Sequence, residues 1–161
     1  MTWATISTRQ MVLKNRINTL ESQLIDISQQ LQTAYDDSAY NQQINQMDYS
    51  EKLEQIQNAY QDRLDALSGN DTSTTEGSEL YTKQTNEAAK LYLTAKKMLD
   101  QQLNTVNTME QHKTDAKTKA LEAQQEQIET QLEASRAEYD QLDKACSNDI
   151  GKGAIKLVSQ G

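Results

Sequence analysis

The sequence has no proline and no phenylalanine, and only five glycines, one cysteine, one histidine and one tryptophan in 161 residues. A β-sandwich or barrel needs turn residues every 8–12 positions, and a chain without Pro and with so few Gly does not supply them. One cysteine, Cys146, excludes an internal disulfide and a cysteine-rich metal site. One histidine, His112, excludes a His–His metal pair and a conventional catalytic triad. No stretch approaches the ~20 consecutive apolar residues of a membrane span. The first 16 residues lack an apolar h-region and an initial positive cluster, so no cleaved secretory signal is expected there.

Apolar residues are also scarce, at 35% with a mean hydropathy of -0.87. That is too little for a large globular core. The net charge of -8 is spread evenly: residues 1–68 carry 5 Lys/Arg against 9 Asp/Glu, and the remainder 11 against 15. No basic face results, which argues against a nucleic-acid partner. What apolar content exists is periodic, which separates the chain from disordered polar sequences.

From Leu13 the apolar residues fall at Leu13, Ile17, Leu20, Leu24, Ile27, Leu31 and Ala34, in alternating steps of 4 and 3. Ile6 lies one heptad earlier. A period of 3.5 sustained this long favours a left-handed coiled coil. The stripe weakens at Asp36, Asp37, Ser38 and Asn41, then resumes as Tyr40, Ile44 and Met47, continuing through Leu53, Ile56, Tyr60, Leu64 and Leu67. With no Pro or Gly inside, the reading is one helix from about residue 5 to 67, roughly 90 Å long. Ser68-Gly69-Asn70 ends it, with Gly just past the last apolar residue.

A loop over 68–78 follows, after which Ser78 is placed to cap a second helix running to about Asp149. Its first half presents Leu80, Ala88, Leu91, Ala95, Met98/Leu99, Leu103, Val106 and Met109. After a nearly apolar-free stretch from His112 to Lys119, Leu121, Ile128, Leu132, Tyr139, Leu142 and Cys146 restore a heptad. Folding back near residue 73 brings the weak zones at 36–43 and 110–119 to one level. The expected fold is therefore all-α, a single domain over 1–161 built as a long antiparallel two-helix hairpin. A kink near Asp36, giving a three- or four-helix bundle, is the structural alternative. Polar seam positions (Gln10, Ser38, Gln125, Ser135) lower stability and set register and partner number.

In the tail, 150–161, Gly151 and Gly153 break the helical pattern, and Ile155, Leu157 and Val158 form an apolar knob. The bland reading is a frayed, flexible terminus; the sharper one is a segment that docks on a neighbouring subunit. Gly151-Lys152-Gly153 is no phosphate loop, because the upstream Gly and the following Ser/Thr are missing. Asp36-Asp37 and Asp140/Asp143 lack EF-hand spacing. His112 lies on a polar stretch and is expected in solvent, and Cys146 at a seam position reads as a small buried apolar residue. No catalytic, cofactor or metal site, and no small-molecule ligand, is expected.

Two segments carry a family resemblance: Ile6-Ser7-Thr8-Arg9-Gln10-Met11, and, after a heptad helix, Ala34-Tyr35-Asp36-Asp37-Ser38-Ala39. This third of the chain resembles the start of flagellin and the hook-associated junction proteins. The pattern is also similar to the filament and needle subunits of type III secretion. The resemblance implies terminal helices that pair and polymerise, with the 69–78 loop where a variable region would be inserted, and export without a cleaved signal.

A long two-helix rod also fixes much backbone entropy, about 1–2 kcal/mol per residue, for little buried apolar surface, so self-association is the default. The expectation is a structural protein, a self-assembling homo-oligomeric subunit of an exported bacterial surface filament or sheath. The alternative is a cytoplasmic coiled-coil scaffold or adaptor of fixed oligomer number. Leu13, Ile17, Leu20, Leu24, Ile27 and Leu31, with Leu121, Ile128, Leu132, Tyr139 and Leu142 opposite, form the expected assembly seam. Trp3, Ile6, Ile155, Leu157 and Val158 are the expected contacts between subunits.

Overall fold

The computed structural model describes residues 3–70 and 72–158, with side chains from 4 to 148 apart from position 71. It is an all-α helical hairpin of two elements, α1 (Trp3–Ser68) and α2 (Thr75–Val158). Helix α1 continues through Asp36–Asn41, so the alternative of three or four helices is not adopted. The connection is shorter than the 68–78 read from composition. Helix α1 closes with the Ser68 hydroxyl donating to the Asp65 carbonyl at 2.6 Å and the Asn70 amide donating to Leu67 at 3.0 Å. No described glycine has a positive φ, so Gly69 ends the helix without a left-handed cap.

The cap of α2 is Thr74 rather than Ser78. The Gly77 amide donates to the Thr74 hydroxyl at 3.1 Å, and the Ser78 amide to the Thr74 carbonyl at 3.0 Å. Thr74 thus satisfies one of the donors that a helix start leaves open, and Glu76 in the first turn suits the positive end of the helix dipole. At the other end, the segment read as a flexible tail from residue 150 is helical through Val158. Gly151 and Gly153 do not break it, because a helical Gly costs only about 1 kcal/mol and no Pro is present to force a stop.

The chain divides into two compact units, one of Met1–Ala34 with Ala116–Gly161, the other of Tyr35–Asp115. In the first, Ile6, Leu13, Leu20, Ile27 and Ala34 are buried at every seventh position. Ile17, Leu24 and Leu31 are half-buried between them. From α2 the first unit receives Leu121 and Leu132, both buried, and Ile128, Tyr139, Leu142 and Cys146, half-buried. The heptad predicted from the sequence is the register observed here. Arg9 bridges to Glu138 at 2.7 Å and Arg136 to Glu21 at 2.6 Å, both across the two helices. These pairs are about half exposed, so each adds at most about 1 kcal/mol while marking the antiparallel register.

The second unit is packed differently. On α1 its covered or half-covered positions after Ser38 are Asn41, Asn45, Tyr49, Leu53, Ile56, Tyr60, Leu64 and Leu67. Steps of 4, 4, 4, 3, 4, 4, 3 average about 3.7 residues, close to an eleven-residue repeat and to an unsupercoiled helix. On α2, Tyr92, Leu99, Leu103, Asn107 and Glu110 occupy the same kind of row. Ala88 and Leu99 are the only fully buried apolar residues of this unit among those described.

Candidate assembly surface

From Asn41 to Tyr49 the seam of the second unit is a ladder of polar contacts, which gives way toward the turn to Leu53, Ile56, Tyr60, Leu64 and Leu67. The Asn41 side-chain amide donates to Glu110 Oε1 at 2.8 Å, and that of Asn45 to Asn107 Oδ1 at 3.1 Å. The Tyr49 hydroxyl donates to Asp100 Oδ1 at 2.6 Å. Toward the turn the rings of Tyr60 and Tyr92 stack, with centroids 4.9 Å apart. The Asn41–Glu110 contact joins the two weak zones that folding back near residue 73 was expected to bring together.

Several residues assigned to the seam from hydropathy are not in it. Tyr40, Ile44 and Met47 on α1 are exposed, as are Leu80, Leu91, Met98, Val106 and Met109 on α2. The reason is helical phase. An uninterrupted helix carries its register on from Ala34 through Ser38, Asn41 and Asn45, whatever the chemistry of those residues. Tyr40 and Ile44 precede Asn41 and Asn45 by one position, which turns them away from the seam by about 100°. Leu80, Leu91, Met98, Val106 and Met109 likewise precede Tyr81, Tyr92, Leu99, Asn107 and Glu110.

In an antiparallel pair, positions one residue before the seam on both helices turn to the same flank. The grooves of the second unit show this directly. Asp48, just before Tyr49, lines one groove together with Val106. Ala59, just before Tyr60, lines another with Leu91. One flank therefore gathers apolar side chains from both helices. Of the thirteen large apolar residues exposed among those described, ten belong to this unit, which locates the candidate surface here rather than on the heptad half.

The expected assembly-seam residues occupy the interior of the first unit. Leu13 is 2% exposed, and Leu20, Ile27, Leu121 and Leu132 are buried with it. Ile6, expected between subunits, is also buried within this unit. Trp3, Ile155, Leu157 and Val158 lie outside the residues whose side chains are described. His112 is exposed and Cys146 half-buried. Among the described residues no three His, Cys, Asp or Glu side chains gather as a metal site would require, and no helix is long and apolar enough to cross a membrane.

The Tyr49–Asp100 contact makes stability depend on pH. Donation to the Asp100 carboxylate raises the Tyr49 pKa above 10.0, helped by burial and by the negative charge of Asp100. A group raised in the folded state contributes fully below its unfolded pKa, and the contribution disappears as pH passes the folded value. Tyr49→Phe is therefore expected to be less stable than the parent at pH 8, with the difference vanishing in strong alkali. Urea unfolding of both proteins across that range measures it, and a difference independent of pH contradicts it.

A scan against protein-family models finds no match, and searches of curated proteins and of solved structures find none either.

Proposed function

We propose that this chain is a structural protein, a self-assembling coiled-coil subunit of a bacterial surface filament or sheath. The observation that carries the reading is the second unit, which has polar residues in its seam from Asn41 to Tyr49 while ten large apolar residues lie exposed on its surface. Exposed large apolar side chains concentrated in one part of a surface are an ordinary mark of a protein–protein contact. The extracellular setting rests on the segments at Ile6–Met11 and Ala34–Ala39, similar to flagellin and its junction proteins. The seam of the first unit, from Leu13 to Leu31 and Leu121 to Leu142, then holds each subunit together, and the flank of the second joins subunits.

Light scattering across a concentration series, paired with negative-stain electron microscopy, tests this. Growth with concentration into fibres of uniform diameter is the expected result. A monodisperse dimer or tetramer at every concentration replaces the filament with a discrete scaffold or adaptor. A monomer throughout overturns self-assembly itself.

A further inference from the structure

Four large apolar residues on the outer flank of α2, Leu80, Leu91, Met98 and Met109, are separated by steps of 11, 7 and 11. They are 54%, 57%, 58% and 66% exposed. At about 100° per residue the four directions agree within about 20°, so they form one straight row roughly 44 Å long. The spacing is the same read from either end. Turned end for end, the row superposes on itself, with Leu80 opposite Met109 and Leu91 opposite Met98. The midpoint falls between Thr94 and Ala95, whose small side chains let two helices approach.

The polar members of the face obey the same symmetry. Gln84 falls opposite Thr105, and Glu87, the one charged residue among these positions, falls opposite Gln102, whose amide can donate to it. A parallel, in-register pairing also matches the apolar row, but it sets Glu87 against Glu87, a like-charge contact that disfavours it. The row thus suits a second copy of itself, and Glu87 favours the antiparallel orientation.

We infer that α2 packs antiparallel against α2 of a second copy of this chain, about a twofold axis between Thr94 and Ala95. Leu80, Leu91, Met98 and Met109 form the contact, which is isologous, each copy presenting the same patch. The inference rests on the self-assembly reading and names its first step as a twofold dimer.

Cysteine pairing distinguishes the arrangements. In a Cys146→Ser background, Leu91→Cys and Met98→Cys chains of different tagged size are prepared and mixed under mild oxidation. All three sites changed are exposed or half-buried, and circular dichroism verifies that helicity is retained. The antiparallel contact gives a disulfide between the two different chains, and little between identical ones, whose cysteines lie about 10 Å apart along the axis. Disulfides mainly between identical chains overturn the orientation. Oligomers by light scattering without either disulfide overturn this contact and leave self-assembly standing. A parent chain that is monomeric by light scattering at the same concentrations, with neither disulfide in the variants, overturns both. Leu91→Ser, removing one Leu from each of two symmetric positions, is expected to raise the dimer Kd roughly a hundredfold; an unchanged Kd overturns the contact.

Discussion

Leu13→Ala is expected to lower the unfolding free energy of the first unit by about 3 kcal/mol, within the range for deleting a fully covered leucine side chain. Leu13 is the most completely covered large side chain of those described, and a two-helix seam has few neighbours able to collapse into the space it leaves. The neighbouring Val12 is half exposed, so Val12→Ala serves as a control and should change stability by less than about 0.5 kcal/mol. Denaturant unfolding followed by circular dichroism, with hydrogen exchange to assign the change to the first unit, measures both. Equal effects of the two substitutions would contradict the burial pattern on which the heptad register rests.

The second large effect concerns Asn45 and Asn107, and its sign changes between single and double substitution. Asn45→Leu alone leaves the Asn107 side chain without its partner in a half-covered seam and is expected to destabilise by about 1 kcal/mol. Asn45→Leu with Asn107→Leu removes both polar groups and adds apolar contact, so the double variant should equal or exceed the parent by about 1–2 kcal/mol. The two changes are thus strongly non-additive, as expected for residues in direct contact. The double variant keeps the Asn41–Glu110 and Tyr49–Asp100 contacts on either side, so the register of the hairpin is expected to hold. A complete thermodynamic cycle, with cross-linking at Arg9 and Glu138 replaced by cysteines as a register probe elsewhere in the hairpin, reads both consequences. Strict additivity would show that the amide contact does not form.

The parts of this molecule that sequence reasoning recovered are those where two independent rules agree. From Ile6 to Ala34, and from Leu121 to Cys146, apolar chemistry and helical phase select the same positions, so a heptad read from hydropathy is also the register of the fold. Between Tyr35 and Asp115 the two rules agree at Leu53, Ile56, Tyr60, Leu64, Leu67, Ala88 and Leu103 and diverge by one residue elsewhere. Hydropathy selects Tyr40, Ile44, Leu91 and Met98, while phase selects Asn41, Asn45, Tyr92 and Leu99. Phase prevails because turning a helix by one position requires an inserted or deleted residue, and none is present. The signal was available in principle: carrying the 3–4 alternation forward from Ala34 reaches Ser38, Asn41 and Asn45 without a break. Following the apolar residues alone places the outer flank in the interior and conceals the exposed surface. The ends of α2 were misplaced for a simpler reason. Glycine and serine are weak boundary signals when no proline accompanies them, and Thr74 and Ser78 are equally good caps until the fold chooses between them.

The one-residue offset also sets an evolutionary distance. A single codon inserted between Ala34 and Ser38 would advance every following residue of α1 by one place, bringing Tyr40 and Ile44 into line with the seam but driving Leu53, Ile56, Tyr60, Leu64 and Leu67 out of it and setting Asp48, Lys52 and Arg63 there instead. The resulting chain would gain two large apolar seam residues and lose five, and its hairpin would be weaker. Withdrawing the α1 share of the exposed flank thus takes two compensating changes, an insertion before Ser38 and a deletion before Tyr49, which leave Leu53 to Leu67 in their frame.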